Sequence, residues 1–348
     1  MASNVFSPFS LRGLTVRNRI AMSPMLMYAA AEDGLLNETL FVHYGARALG
    51  GVGMIVTEVL AVEARGRISA RDLGLWNDEQ AAGLRRLVDF AHACGVAIGA
   101  QLAHAGRKSA LAGSSIAPSA LAYDEALGVP REMSLGDIQE VVEAYARAAA
   151  RAAETGFDAL QLHAANGYLL HEFLSPLANA RTDGYGGSLA NRARLLLEVV
   201  AAARSGWPAD KPLFVRLCMN DFLTGGLDPQ EAIKIGGWLK EAGVDLIDAT
   251  TGNILPGYPG AVFPGYQVGY AEQLRAATGL AVATSGSIAS LDLMEEIIGA
   301  GRVDLVFMGR ALLRQPFWTL EAARSAGFTL ELPIPTYARA TGPFERGY

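Results

Sequence analysis

The chain has 348 residues, 51% of them apolar and 18% charged, and a formal net charge of −6. That composition supplies a large buried core, and a negative balance with scattered Lys and Arg gives no electrostatic ground for nucleic acid or an anionic membrane as partner. Two cysteines, Cys94 and Cys218, are too few for a four-thiolate zinc site, an iron–sulfur cluster or a disulfide framework.

Taken in chain order, short β-rich apolar runs recur at 19–22, 53–59, 96–101, 158–163, 213–218, 244–248, 280–284 and 304–308. Each reads as a strand buried on both faces, as in a parallel sheet. Helical periodicity lies between them and is clearest over 137–155, 190–205, 229–242 and 291–299. The phrases Gly156-Phe157-Asp158, Gly243-Val244-Asp245 and Gly301-Arg302-Val303-Asp304 resemble one another: a glycine closes a helix and an aspartate opens the next strand. Eight β-then-α units in series predict a single (β/α)₈ barrel over 1–348, with an N-terminal extension and a polar C-terminal tail at 336–348. No Gly-x-Gly-x-x-Gly follows a strand, so the doubly wound alternative lacks its phosphate fingerprint. The connection 107–130, rich in Gly, Ser, Pro and Ala, reads as an active-site loop after the third strand. Met1 to Pro8 show no charged segment leading into an apolar core, and the apolar runs are strand-length, so a cytoplasmic protein that does not enter a membrane is expected.

In such a barrel, function gathers where strands end. Those positions hold Ser23-Pro24-Met25, Val59, Gln101 with His104 and Lys108, His163 with Asn166 and Tyr168, Arg216, Thr250 to Gly252, Ser285-Gly286-Ser287 and Gly309-Arg310. The last two groups stand where barrels hold a phosphate: glycines admit backbone N–H groups, a helix start adds a favourable dipole, and Arg310 adds charge. The same glycines would also serve as plain tight turns. His163 and Asn166, three apart, are read as lying on one turn and donating to a single oxygen, which would stabilise developing negative charge. Tyr168 offers a phenolic proton. His171-Glu172-Phe173-Leu174-Ser175 lacks the second histidine of a helical zinc motif, so no metal is expected. Met22, Met25 and Met27 beside Tyr28 suit core filling as well as a cofactor wall.

These residues resemble the old yellow enzyme family, in its bacterial thermophilic-like subclass. The resemblance runs essentially end to end. It is most specific at Gln101-Leu102-Ala103-His104-Ala105-Gly106-Arg107-Lys108, across residues 163–177, and at Arg181-Thr182-Asp183-Gly184-Tyr185-Gly186-Gly187-Ser188 with Asn191-Arg192. It implies a flavoprotein with non-covalent FMN, reduced by NADPH or NADH, that reduces the activated C=C bond of an unsaturated carbonyl or nitro compound. By that resemblance Ser23, Pro24, Met25 and Val59 contact the flavin ring, Gln101 and Arg216 its pyrimidine edge, and Ser285, Gly286, Gly309 and Arg310 its phosphate. His163 and Asn166 hold the substrate oxygen, Tyr168 protonates the α-carbon, and Tyr28, Leu26 and Lys108 line the pocket. Arg346 reaches a neighbouring active site, which implies a homodimer or homotetramer.

Two positions depart from the subclass. Leu26 stands where a cysteine is usual, and Asn166 where a second histidine is usual, which restores the His/Asn pair of the wider family. With two cysteines and no cluster of them, an iron–sulfur dienoyl-CoA reductase is not expected. A flavin-free lyase or isomerase barrel would share the phosphate site, yet it needs a Schiff-base lysine or catalytic carboxylate at a strand end. Lys108 lies beyond its strand and Asp248 one residue short of its end. A flavin-binding protein without catalysis is the remaining alternative.

Overall fold

A computed structural model describes residues 4–113, 115–331 and 334. Among them, eight parallel strands close on themselves: β1 (Ile20–Met22), β2 (Met54–Ala61), β3 (Ala97–Ala103), β4 (Ala159–Ala164), β5 (Leu213–Cys218), β6 (Leu246–Thr250), β7 (Ala281–Thr284) and β8 (Leu305–Met308). Closure comes from β8 pairing with β1, Val306 opposite Ile20, while β1 pairs with β2 through Ala21 and Met54. Every strand is buried along its length, apart from the partly covered Ala281, as the continuous apolar runs predict for a sheet covered by helices.

The expected helices appear as Leu135–Thr155, Leu189–Gly206, Pro229–Glu241 and Leu291–Gly299. Three more, Glu38–Leu49, Asp78–Ala93 and Val268–Thr278, complete the outer ring. Their starts are set by side chains that accept the orphan backbone N–H groups of the first turn: Asn77 with Gln80 makes a reciprocal capping box, and Ser134 with Asp137 another. No described helix is long and apolar enough to cross a membrane.

Inside the barrel the lower half is apolar, with Ala21, Met54, Val56, Phe214, Leu246, Leu305 and Phe307 packed together. The hairpin Phe9–Leu11 with Leu14–Val16 closes that end, its Phe9, Leu11 and Leu14 lying against this cluster. The three Gly-to-Asp phrases sit here too. Gly156, Gly243 and Gly301 take the left-handed backbone that ends a helix, and the carboxylates of Asp158, Asp245 and Asp304 accept the N–H of Ile98, Leu213 and Val282 on the preceding strands.

The upper half of the interior is polar. Gln101, Gln161, His163, Arg216 and Asp248 all point into a barrel mouth and are buried. Strand β3 runs on to Ala103 and β6 to Thr250, so Gln101 and Asp248 each sit two residues inside the end of their strand. The pairing of β2 with β3 shifts register between Val56 and Val59. This bulge turns Glu58 toward Tyr44 and lets Val59 join Ile68, Ala103 and Ala105 in a small apolar cluster at the mouth.

Candidate active site

The C-terminal ends of β7, β8 and β1 enclose a cavity of about 430 Å³ lined by Ser23, Met25, Ser285, Gly286, Gly309 and Arg310, all foreseen at strand ends. Gly286 has φ +115°, and a side chain there would press on the Tyr266 ring at 3.2 Å. Gly309 approaches Met25 so closely that a Cβ would stand 3.3 Å from its sulfur. Gly286 is thus favoured by its backbone conformation, while at Gly309 a side chain fits only if Met25 gives way. No carboxylate among the described residues pairs with Arg310, nor with Arg314 beside it in the same wall. Two unneutralised guanidinium groups at a glycine-built cradle suit an anion such as a phosphate, and the cavity fits the tail of FMN. Ser287, read with Ser285 and Gly286, also lines the cavity, whereas Tyr266 and Arg314 escaped the sequence reading. Arg314 follows Arg310 by four residues, one helical turn, and that spacing was the available signal.

Backbone strain concentrates at this rim. Tyr28, Asn166, Phe222, Asn253 and Ser287 all have positive φ without being glycine, and all lie in loops that leave the C-terminal ends of strands. Asn166 (φ 57°) therefore does not share a helical turn with His163, which belongs to β4; a left-handed turn after the strand brings its amide round instead. The Asn166 carbonyl oxygen of the side chain accepts from Asn253 Nδ2 at 3.4 Å, which leaves the NH₂ group to donate. Its backbone carbonyl accepts from Lys108 Nζ at 3.0 Å.

His163 is 4% exposed, and its Nδ1 has no partner among the described residues. Burial, helped by the positive charges of Arg216 and Lys108, holds its pKa well below the ordinary value. The ring is neutral at physiological pH and carries one N–H to donate. Tyr168 packs edge-on against it with ring centroids 5.1 Å apart. Burial and the neighbouring Tyr28 and Asp72 raise the Tyr168 phenol far above its usual range, so it keeps its proton. The Lys108 ammonium stands 5.0 Å over the Tyr168 ring, and burial brings the Lys108 pKa down to about 8.

Leu26 and Tyr168 both pack on the Val59 cluster, so position 26 presents an apolar branched chain to it. Tyr28 is 55% exposed beyond them. On the other side, Arg216 Nη1 lies 3.4 Å from Ser23 Oγ, and Gln101 Nε2 donates to Gln161 Oε1 at 2.7 Å.

Other sequence candidates have structural roles. His104 is wholly enclosed, its Nε2 2.9 Å from Glu63 and its Nδ1 accepting from Gly106 N–H. Arg107 spans the mouth and donates to the carbonyls of Leu121 and Ile254, pinning the third and sixth loops together. His171, Cys218 and Asp221 meet with ligand atoms within 4.8 Å, but Asp221 already accepts from the Ser175 hydroxyl and Leu227 N–H, and His171 Nδ1 from Gly167 N–H. Arg346 and the tail at 336–348 lie outside the described residues.

Comparison with known proteins matches residues 4–326 to the NADH:flavin oxidoreductase / NADH oxidase family. An NADPH dehydrogenase of Geobacillus sp. (strain WCH70) is 46% identical, covering 100% of this chain and 99% of that protein. An NADPH dehydrogenase of Bacillus subtilis (strain 168) is also 46% identical, with 100% of each chain covered. Among solved structures, morphinone reductase superposes with a TM-score of 0.81 at 29% identity, over 97% of this chain and 93% of that one. A (β/α)₈ barrel with an anion cradle at its last two strands and neutral donors across its mouth thus belongs to the NADH:flavin oxidoreductase, or old yellow enzyme, family, as an oxidoreductase that uses FMN and a nicotinamide cofactor.

Proposed function

We propose that this oxidoreductase is an ene-reductase, which reduces the activated C=C bond of α,β-unsaturated carbonyl or nitro compounds at the expense of NADPH or NADH. The observation that carries the reading is His163, buried with an unpartnered ring nitrogen, packed against a Tyr168 that retains its proton. When bound, FMN supplies the hydride. Ser285, Gly286, Gly309 and Arg310 would hold its phosphate, Ser23, Pro24, Met25 and Val59 its ring, and Gln101 with Arg216 the pyrimidine edge.

The chain's own residues then do three things. His163 and Asn166 donate two neutral hydrogen bonds to the substrate's carbonyl or nitro oxygen, drawing electron density from the alkene and stabilising the negative charge that develops there. Tyr168 passes its proton to the α-carbon while hydride arrives at the β-carbon, so that two electrons and two hydrogens are accounted for. The Lys108 ammonium over the Tyr168 ring stabilises the phenolate left behind until solvent returns a proton. Leu26 and Tyr28 shape the substrate side of the pocket. The reading extends to a cytoplasmic homodimer or homotetramer in which Arg346 reaches a neighbouring site; its support is the family resemblance.

An anaerobic screen of cyclohexenone, maleimides and nitroalkenes, with NADPH and with NADH, tests the proposal. Flavin that NADPH reduces should be reoxidised rapidly by at least one of these alkenes, with the saturated product formed in equal amount. Reoxidation by oxygen alone, with no alkene consumed, would refute it.

A further inference from the structure

The barrel interior just below the flavin site contains a fully buried carboxylate that the reaction described above does not use. Asp248 on β6 is directly opposite Arg216 on β5 in the strand register, and Arg216 is in turn opposite His163 on β4. Asp248 Oδ2 lies 3.0 Å from Arg216 Nη1. Gln161 Nε2 approaches the same oxygen at 3.4 Å, and Gln161 Oε1 accepts from Gln101 Nε2 at 2.7 Å. Asp248 Oδ1 has no partner among the described residues, nor has Arg216 Nε. The carboxylate therefore has one charged neighbour, and that neighbour is gripped along one edge only.

A buried carboxylate is costly to keep, and an apolar side chain at this position would fill the barrel as well as its neighbours do. What an apolar residue could not do is fix the guanidinium of a long, rotatable arginine and cancel part of its field. The chain Gln101–Gln161–Asp248–Arg216 links the two residues assigned to the pyrimidine edge through side chains that would not themselves touch the ring.

We infer that Asp248 is a positioning residue that aims Arg216 at the flavin's pyrimidine edge and tempers its positive charge, and so helps to set the reduction potential of the bound FMN. The inference rests on the reading that Arg216 faces that edge. A positive charge there favours the anionic reduced ring; the Asp248 charge behind it opposes that effect through a low-dielectric interior.

The test is the flavin's midpoint potential, from anaerobic reductive titration against a reference dye, together with the affinity of the oxidised holoprotein for sulfite, whose flavin adduct also carries negative charge. Asp248→Asn keeps the shape and removes the charge. It should shift the two-electron equilibrium toward reduced flavin by about tenfold, equivalent to about 30 mV, with sulfite binding tightened to a similar degree. Asp248→Glu should return both values toward the parent. An unchanged or lowered potential in Asp248→Asn would overturn the proposal, since loss of a merely structural contact would weaken flavin binding without raising the potential. Should that variant fail to hold FMN, Gln161→Leu, which removes an amide donor from the same carboxylate oxygen, should move the potential downward; no movement there counts against the proposal equally. Arg216→Gln separates the two layers. If it leaves potential and sulfite affinity untouched, the placement of Arg216 at the flavin fails; if it lowers both while Asp248→Asn changes nothing, only the role of Asp248 fails.

Discussion

The backbone N–H of Gly167 donates to Nδ1 of His171 at 2.9 Å, directly between Asn166 and Tyr168. On its far side His171 Nε2 stands 3.0 Å from Asp221. Burial works against a charge on this ring while Cys218 and Asp221 work for it, with a net upward pull on its pKa. The Gly167 contact decides the protonation state: a second proton on Nδ1 would meet that N–H head on, so the ring is neutral with its proton on Nε2. Gly167 itself (φ +73°) sits 2.3 Å, by its would-be Cβ, from Asn253 O, so the turn has no room to relax in that direction. His171 is therefore the clamp on the turn that presents both proposed catalytic groups.

Replacing His171 with leucine should bare the Gly167 N–H and cost on the order of 1–3 kcal/mol of stability. A small displacement of Asn166 and Tyr168 should also slow alkene reduction by roughly tenfold or more. Flavin reduction by NADPH, which needs neither group as a proton source, should stay close to the parent rate. Stopped-flow measurement of the two half-reactions separates these effects, and equal slowing of both would show that the clamp serves flavin binding instead.

Tyr168→Phe keeps the packing against His163 and the Val59 cluster and removes the proton. The oxidative half-reaction with cyclohexenone should fall by about 10²–10⁴, the usual contribution of a positioned general acid. Flavin reduction and FMN content should be unaffected. Alkene turnover at the parent rate would take Tyr168 out of its assigned role.

Both donors proposed for the substrate oxygen are neutral, His163 because its pKa is pushed well below the ordinary value and Asn166 because an amide does not titrate. Affinity for a simple phenol ligand, followed by its long-wavelength charge-transfer band, should therefore be flat between about pH 5 and 8 as far as these two residues act. In Asn166→His the new imidazole should titrate near about 6.5, and binding of the phenol oxygen should strengthen as the pH falls through that value. Coincident pH profiles for the two proteins would show that residue 166 does not contact the ligand oxygen.

The behaviour of Glu58 gives a pH effect of opposite origin. Its Oε2 accepts the Met27 N–H at 3.1 Å and its Oε1 the Tyr44 hydroxyl at 3.2 Å, tying the loop that carries Met25 and Leu26 to the first helix. Burial, partly offset by those two hydrogen bonds, raises its pKa from 4.5 to about 7. The folded protein thus binds this proton more tightly than the unfolded chain. The associated stability is complete below the unfolded value and is lost as the pH rises through about 7. Glu58→Gln removes that dependence, so between pH 5 and 8 the parent should lose up to about 3 kcal/mol relative to the variant. Urea unfolding of both proteins with saturating FMN at the two pH values measures it; parallel changes would mean that Glu58 has an ordinary pKa.

The elements that were legible in sequence are those fixed by local rules. Eight apolar runs gave eight strands within two or three residues, since burial on both faces of each strand leaves no polar alternation to confuse the period. The glycine-lined cavity proposed for the phosphate was legible because its glycines follow strands seven and eight directly. Gln161 and Asp248 were not, because a polar residue two positions inside an apolar run has no local mark; only closure of the barrel turns it toward a partner on the next strand. Glu58 was hidden by the bulge at residues 56–59, which no spacing rule predicts. The expected shared turn of His163 and Asn166 failed for a related reason: strand β4 continues past His163, and the positive φ of Asn166 replaces the helical geometry that i, i+3 spacing suggested.

At the opposite end of the barrel, three aspartates do for the strands what the caps do for the helices. Asp158, Asp245 and Asp304 immediately precede β4, β6 and β8, and each accepts an N–H near the start of the strand before it, at 2.8, 2.8 and 2.9 Å. Asp245 is the most connected: its Oδ2 also meets Arg204 at 2.8 Å, and its Oδ1 meets Arg12 beside the closing hairpin. Asp245→Ala leaves the Leu213 N–H without its side-chain acceptor and strips the half-buried Arg204 of its carboxylate partner, and should destabilise the fold by about 2–4 kcal/mol. The lost contacts lie beneath the apolar half of the interior, a full strand length from the proposed flavin site. FMN affinity and alkene turnover at temperatures well below unfolding should therefore match the parent. Thermal unfolding and steady-state turnover of the same preparation check both halves of the prediction, and a large loss of turnover in protein that is still fully folded would mean that the base of the barrel transmits to its mouth.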